Sequence, residues 1–414
     1  MPRSDGGMPP AASKYNLPII VLLLGWTLNP AVMASKVRVL YTGDPYPGVT
    51  PYIHMRIEPL LEVTPVQAST LHYAGISSDD IRRAIRIYMP RTYRSLVESY
   101  DVLIISDANT GSFTSDHHKW FKDGVSEGLG FVMVGGYETF GGVAGYPSWE
   151  NTPVAEVLPV SVVAGLYWGG PMTILDQEHV FMRSLPWRPN LEFMRNYECN
   201  IVNLKDGADL LAVVTIGPWG KSYAGHENPF FSTWTYDKGT VFAMTGDWTP
   251  DGGWVFLRWD YLPDFVTNLM LYCAKRPVPQ DISLVHTLRK QVAMLGYRRL
   301  VATSLVDFIE GFGADTRKLL AALDEVDAAR DKVEALYLEL NYVDALEEAD
   351  AALILMDQAE LVAERSKNEA LFWIYLSEWL VVTSTCLLAG FVVWALMIRR
   401  RLYREVTTTR FPAI

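Results

Sequence analysis

Short apolar runs separated by amphipathic stretches fill the first two thirds of the chain. Segments 36–41 (KVRVLY) and 61–66 predict strands. Segments 102–106 and 131–134 are almost wholly apolar, the pattern of strands buried on both faces. Between them, Ile81, Ile85 and Tyr88 recur at helical spacing behind Ser77 and Ser78, which supply a helix cap. A second helix starts at Thr114 or Ser115 and stops between Gly124 and Gly130. The strands open into polar turns: Thr42-Gly43-Asp44-Pro45, Asp107-Ala108-Asn109 and Gly135-Gly136-Tyr137-Glu138. Strands alternating with helices predict an α/β fold with a largely parallel sheet. Further on the pattern changes. Segments 210–216, 230–236 and 240–244 lie close together, and Asp237-Lys238-Gly239 predicts a hairpin and an antiparallel edge. A closing helix over 263–274 carries Phe265, Leu269 and Tyr272 on one stripe.

The run Lys275-Arg276-Pro277-Val278-Pro279 marks a boundary, so 36–275 is expected to be one domain and 281–375 a helical stalk. One helix or two cover 281–309, broken at Gly311 and Gly313. Beyond it Leu319, Leu323, Val326, Val333, Leu336, Leu340 and Val343 recur at three and four, a coiled-coil-like heptad seam. That seam serves either packing within the chain or self-association. Residues 380–398 hold no charge, and a helix of that length covers about 28 Å, close to the hydrocarbon thickness of a bilayer. Trp379 and Trp394 sit where interfacial aromatics belong, so 376–398 predicts a transmembrane helix with the lipid bilayer as partner. Residues 1–34 read as a signal peptide cut after Ala34, or else as an uncleaved anchor. The tail 399–414 is net +4 and is expected to be cytoplasmic, with the main domain on the other side of the cell membrane.

Composition narrows the function. Half of the 414 residues are apolar and 20% are charged, which excludes wholesale disorder. The net charge of −11 speaks against nucleic acid as a partner. Cys386 lies in the span, leaving Cys199 and Cys273 as either a disulfide or two buried thiols. In doubly wound sheets ligands bind beyond the carboxyl ends of the strands. Reading those ends gives Asp44, Asp107, Tyr137, Glu138 and Asp247 as candidate site residues, four of them carboxylic acids able to act as acid–base pairs or to hold a hard cation. The alternative for each acid is a cap on its own backbone turn. No glycine pattern marks a nucleotide cofactor, His117-His118 fit surface residues better than metal ligands, and no cofactor or metal is expected. Trp149, Trp168, Trp187, Trp219, Trp234, Trp248, Trp254 and Trp259 suit either core packing or a sugar or protein surface.

Residues 130–142 (GFVMVGGYETFGG) and 152–160 (TPVAEVLPV) resemble the class I glutamine amidotransferase-like family, in particular its membrane-anchored members. Further likeness comes from Glu178-His179, from 238–247 (KGTVFAMTGD), and from Asn268 and Tyr272. The resemblance implies a flavodoxin-like three-layer sandwich. Active relatives carry a Cys nucleophile on the turn after a central strand, activated by a His that a Glu orients. Here that turn holds Tyr137, and His226-Glu227 do not reproduce the His-x-Glu spacing. The expected function is therefore a non-catalytic binding or scaffold subunit of a cell-envelope complex, with a protein partner or a second copy held through the stalk. The alternatives are an envelope hydrolase using the strand-end carboxylates and a sugar-binding sensor.

Overall fold

The computed structural model describes residues 35–46, 48–70, 76–143, 145–187, 198–218, 221–249, 256–311 and 315–408. The expected signal segment, Trp219, Trp254 and the last six residues of the tail lie outside them.

Nine strands form one sheet: β1 (Val37–Gly43), β2 (Leu61–Gln67), β3 (Val102–Ser106), β4 (Gly130–Val134), β5 (Val160–Ile174), β6 (Glu198–Leu204), β7 (Asp209–Ile216), β8 (Glu227–Tyr236) and β9 (Gly239–Met244). Their order is β2-β1-β3-β4-β9-β8-β7-β5-β6. The first four pairings are parallel and the last four antiparallel. The sheet is thus mixed, not largely parallel as the sequence suggested. The cause is β5 and β6, two strands the apolar pattern does not announce, which extend the expected antiparallel edge to half of the sheet.

Helices α1 (Tyr52–Ile57), α2 (Ser78–Tyr88), α3 (Tyr93–Ser99), α4 (Ser115–Glu127), α5 (Val154–Val157) and α6 (Leu262–Cys273) complete the α/β part. Ser77 caps α2 by accepting from the Asp80 N–H, and Thr114 and His117 form a reciprocal cap on α4. Alternate strand residues feed two cores. Val39, Ile104, Val132 and Phe242 pack toward Met55 of α1 and Phe265 and Leu269 of α6. Leu40, Leu103, Met133 and Val241 pack toward Ile81 of α2 and Phe121 and Val125 of α4. Strands buried on both faces are why these runs are apolar without alternation.

Strand β5 bends. Its first half pairs with β6 and its second half with β7, with register shifts in both ladders. The bend lays β6 across the far end of β9, where Cys199 bridges Gly246 and the Asn200 N–H donates to the Thr245 carbonyl (2.9 Å). Residues 198–200 are thereby delivered to the carboxyl ends of the parallel strands.

Three long helices follow: α7 (Ile282–Gly311), α8 (Arg317–Leu338) and α9 (Tyr342–Thr408). The seam of α8 buries Leu319, Leu323, Val326, Val333 and Tyr337. Val343, expected in that seam, is 64% exposed, because the turn at Glu339–Asn341 resets the register. On α9 the buried positions from 345 to 363 are Ala345, Ala349, Ala352, Met356, Ala359 and Ala363, spaced four and three. The heptads therefore meet within one chain. Along α9 the side chains from Trp379 to Ile398 are exposed, and this is the one helix among the described residues long and apolar enough to cross a membrane.

The helices join the α/β part through a buried polar cluster. Arg289 of α7 donates to Asp264 Oδ1 (2.8 Å) and to the Tyr337 hydroxyl (2.8 Å), and its Nε lies 3.5 Å from Glu58. His286 Nδ1 lies 2.7 Å from Asp264 Oδ2 and stacks on Tyr261.

Candidate functional site

The loops after β1, β3, β4 and β9 and the start of β6 converge at one end of the sheet. Asp44, Asp107, Asp247, Glu138 and Glu198 are all at most 7% exposed. The charges of Asp44, Asp107 and Glu198 each feel that of Asp247, and Asp107 also feels that of Asp44. The three aspartates read from the strand ends thus come together. No Lys or Arg among the described residues forms an ion pair with any of the five acids.

The backbone is shaped for this crowding. Asp107 takes a positive φ of 42°, and its Oδ1 accepts from the Glu138 N–H (2.7 Å). Gly136 has φ 150°, and a Cβ there would lie 2.5 Å from that same Oδ1, so only glycine fits. Asn200 clamps the turn from β6: its Oδ1 accepts from the Gly136 N–H (3.0 Å) and its Nδ2 donates to the Gly136 carbonyl (3.2 Å).

The acids differ in role. Glu138 is tied down by the Ser69 hydroxyl (2.8 Å), the Thr70 N–H (2.6 Å), the Thr70 hydroxyl and Asn109 Nδ2 (2.9 Å). It cross-links the loops after β2, β3 and β4, which is a structural task. Asp247 accepts from the Thr249 N–H (2.8 Å) and hydroxyl (2.5 Å), yet burial still pushes it up to about 6. Burial first and Asp247 second push Glu198 up to about 7. Asp44 and Asp107 are raised well above the usual carboxylate range, again by burial first and neighbouring aspartates second. Asp44 Oδ2 and Glu198 Oε2 have no hydrogen-bond partner among the described residues. Tyr137 is half-buried, and its phenol is raised by burial and by Glu198, Asp247 and Asp107. Among the described residues no three His, Cys, Asp or Glu side chains are placed to share a metal ion.

Glu198 and Asn200 escaped the sequence reading because they sit on β6, whose position depends on the bend in β5. His179, one of the residues that carry the resemblance, lies elsewhere, on Tyr272 (3.3 Å) beside Thr233. His117 and His118 are not free surface residues but pack among Phe113, Trp120 and Trp149. Trp149, Trp187, Trp248 and Trp259 are buried, and Trp168 is exposed. Cys199 and Cys273 are both free. Cys199 abuts Gly246 beyond the end of β9, whereas Cys273 lies against Gly130 at the start of β4. A five-residue strand separates those ends by about 16 Å, far beyond the reach of a disulfide. Burial raises both thiols, Cys199 to about 12.

A glycine-lined turn after β4 thus faces acids from β1, β3 and β9. Residues 83–274 match the family described as putative glutamine amidotransferase. This amidotransferase-like segment contains the β4 turn, Glu198 and Asp247. No curated protein matches the chain. Among solved structures, a cytoplasmic protein of Salmonella typhimurium LT2, STM1381, is 21% identical over 57% of this chain and 99% of its own, with a TM-score of 0.44. A second cytoplasmic protein of Salmonella typhimurium, STM3548, is 18% identical over 57% and 99%, with a TM-score of 0.45. The β-galactosidase of Rahnella sp. R3 is 14% identical over 59% of this chain and 32% of its own, with a TM-score of 0.30.

Proposed function

We propose that this chain is a single-pass membrane protein whose amidotransferase-like domain, outside the cytoplasm, works by binding and not by glutamine hydrolysis. The domain would be a flavodoxin-like unit serving as a subunit of a cell-envelope complex. One observation carries the reading: the turn that should present a thiolate presents Tyr137 to a group of acids. A phenol raised above its ordinary pKa is a poor nucleophile at neutral pH. The two cysteines of the domain are buried with raised pKa, the opposite of an activated thiol. The apolar stretch of α9 followed by Arg399, Arg400 and Arg401 supports the anchor and its orientation. Purified protein incubated with glutamine is expected to release no ammonia. Ammonia release that disappears in Cys199→Ser would overturn the proposal. Gentle solubilisation is expected to bring down a partner.

A second reading has its own support. Glu198, near 7, and Asp247, near 6, are the unequal carboxyl pair that acid–base hydrolysis of a glycoside or amide needs. It predicts turnover of an envelope glycoside or amide that falls at least about 100-fold in both Glu198→Gln and Asp247→Asn. A panel of such substrates without turnover removes it.

A further inference from the structure

Helix α7 carries two heptad seams, and only one is filled. Leu288, Val292, Leu295, Ala302, Val306 and Ile309 pack into the helical core. On the other side Met294, Tyr297, Val301 and Ser304 repeat at three, four and three, the spacing of a second seam. Met294 is 49% exposed, Tyr297 69%, Leu300 67% and Val301 43%. Every exposed position from 293 to 304 is uncharged. Both arginines of that stretch turn inward: Arg298 to Asp357 and Glu360 of α9, and Arg299 to Asp327 of α8. A helix apolar on both sides normally has neighbours on both.

We propose that two copies of this chain pair in parallel through the open seam of α7. Charge selects this face. Residues 315–370, which supply α8 and the first part of α9, hold fifteen acids against six bases, so two copies meeting by those helices would oppose carboxylates. The α7 seam is the stripe on which two acidic stalks meet without that repulsion. Direction agrees as well. The Arg298 pairs set α7 alongside α9 with both running toward the apolar stretch, so copies anchored in one bilayer present their α7 seams in parallel. In register, Met294, Tyr297 and Val301 each meet their own counterpart, and Leu300 of one copy lies beside Leu305 of the other. The four exposed apolar side chains leave about 450 Å² open per copy, so a pair buries on the order of 900 Å², the size of a weak contact and not of a stable soluble dimer. Confinement to one membrane supplies the effective concentration such a contact needs. The inference rests on the proposed membrane anchor for this concentration and for the parallel direction.

The test uses the full chain in native membranes, carrying Cys386→Ala and Val301→Cys. Mild oxidation is expected to give a disulfide-linked species of twice the mass, at least tenfold above the control Ala328→Cys, an exposed position of α8 outside the groove that Leu300 lines. No excess over that control, or an adduct with a different protein, overturns the proposal. Leu300→Glu with Val301→Glu is expected to convert a detergent-solubilised dimer to monomer at an unchanged melting temperature. Should that double variant misfold, Tyr297→Glu alone gives the same reading, and a dimer that persists in it counts against the seam. Alkaline carbonate extraction separates the two ideas: release of the protein sinks the anchor, whereas the Val301→Cys adduct reports on pairing alone.

Discussion

Two groups of buried polar side chains stand apart in the chain, one at the strand ends and one where the helices join the α/β part. At the strand ends, Asp44, Asp107, Asp247 and Glu198 face one another with no cation from the described residues, and their pKa values rise. At the junction with the helices, Glu58 and Asp264 share Arg289, with His286 and Tyr337 completing the contacts. There burial still lifts Glu58, but Arg289 opposes it. A compensated cluster is what an interface needs to hold one geometry. An uncompensated one costs stability and is retained where something must be bound or protonated.

The largest effect is expected from breaking the compensated cluster. Arg289→Met leaves Glu58 and Asp264 buried without their partner and should cost about 3–5 kcal/mol, lowering the thermal midpoint by roughly 10 °C. Adding Glu58→Gln and Asp264→Asn should return much of that loss. A variant as stable as the parent would show that the junction contributes nothing.

The opposite sign is expected at the strand ends. The folded state holds a proton on Asp247 up to about pH 6, where an unfolded aspartate has released it. The folded chain therefore binds more protons between about pH 4 and pH 6, and this group's contribution to stability falls as pH rises through that window. Glu198 extends the fall to about pH 7. Asp247→Asn should stabilise the protein at pH 8 by on the order of 3 kcal/mol and leave it nearly unchanged near pH 4. Thermal midpoints of the parent should decline from pH 5 to pH 8, with a shallower decline in Glu198→Gln. A midpoint that rises over this range would mean a cation compensates the cluster after all. The smallest effect belongs to the exposed Arg94–Glu98 pair, where Arg94→Ala should move the midpoint by no more than about 1 °C.

The same contrast explains what the sequence discloses. Strands β1 to β4 and β7 to β9 are legible because each is a local apolar run closed by a turn, and Asp44, Asp107 and Asp247 are legible as the residues after them. Glu198 and Asn200 are not, since a bend at Val162–Leu166 of β5, far along the chain, decides where β6 lies. Glu138 follows a strand like the others, yet Ser69, Thr70 and Asn109 turn it into a clamp, which no strand-end rule distinguishes. The junction is equally hidden: Arg289 and Glu58 are ordinary surface-type residues until α7 docks on α1 and α6. On α7 itself, the inward turn of Arg298 and Arg299 conceals an uncharged face within a stretch that looks well charged.

The crowding of carboxylates around Tyr137 also bears on how easily this protein could gain a relative's chemistry. Swapping in sulfur, as in Tyr137→Cys, would set the new thiol among groups that disfavour a second negative charge nearby. It would stay protonated and unreactive toward a carboxamide. On the proposed reading, glutaminase chemistry at this turn would need a rebuilt neighbourhood, with an imidazolium where acids now stand, and not a single substitution.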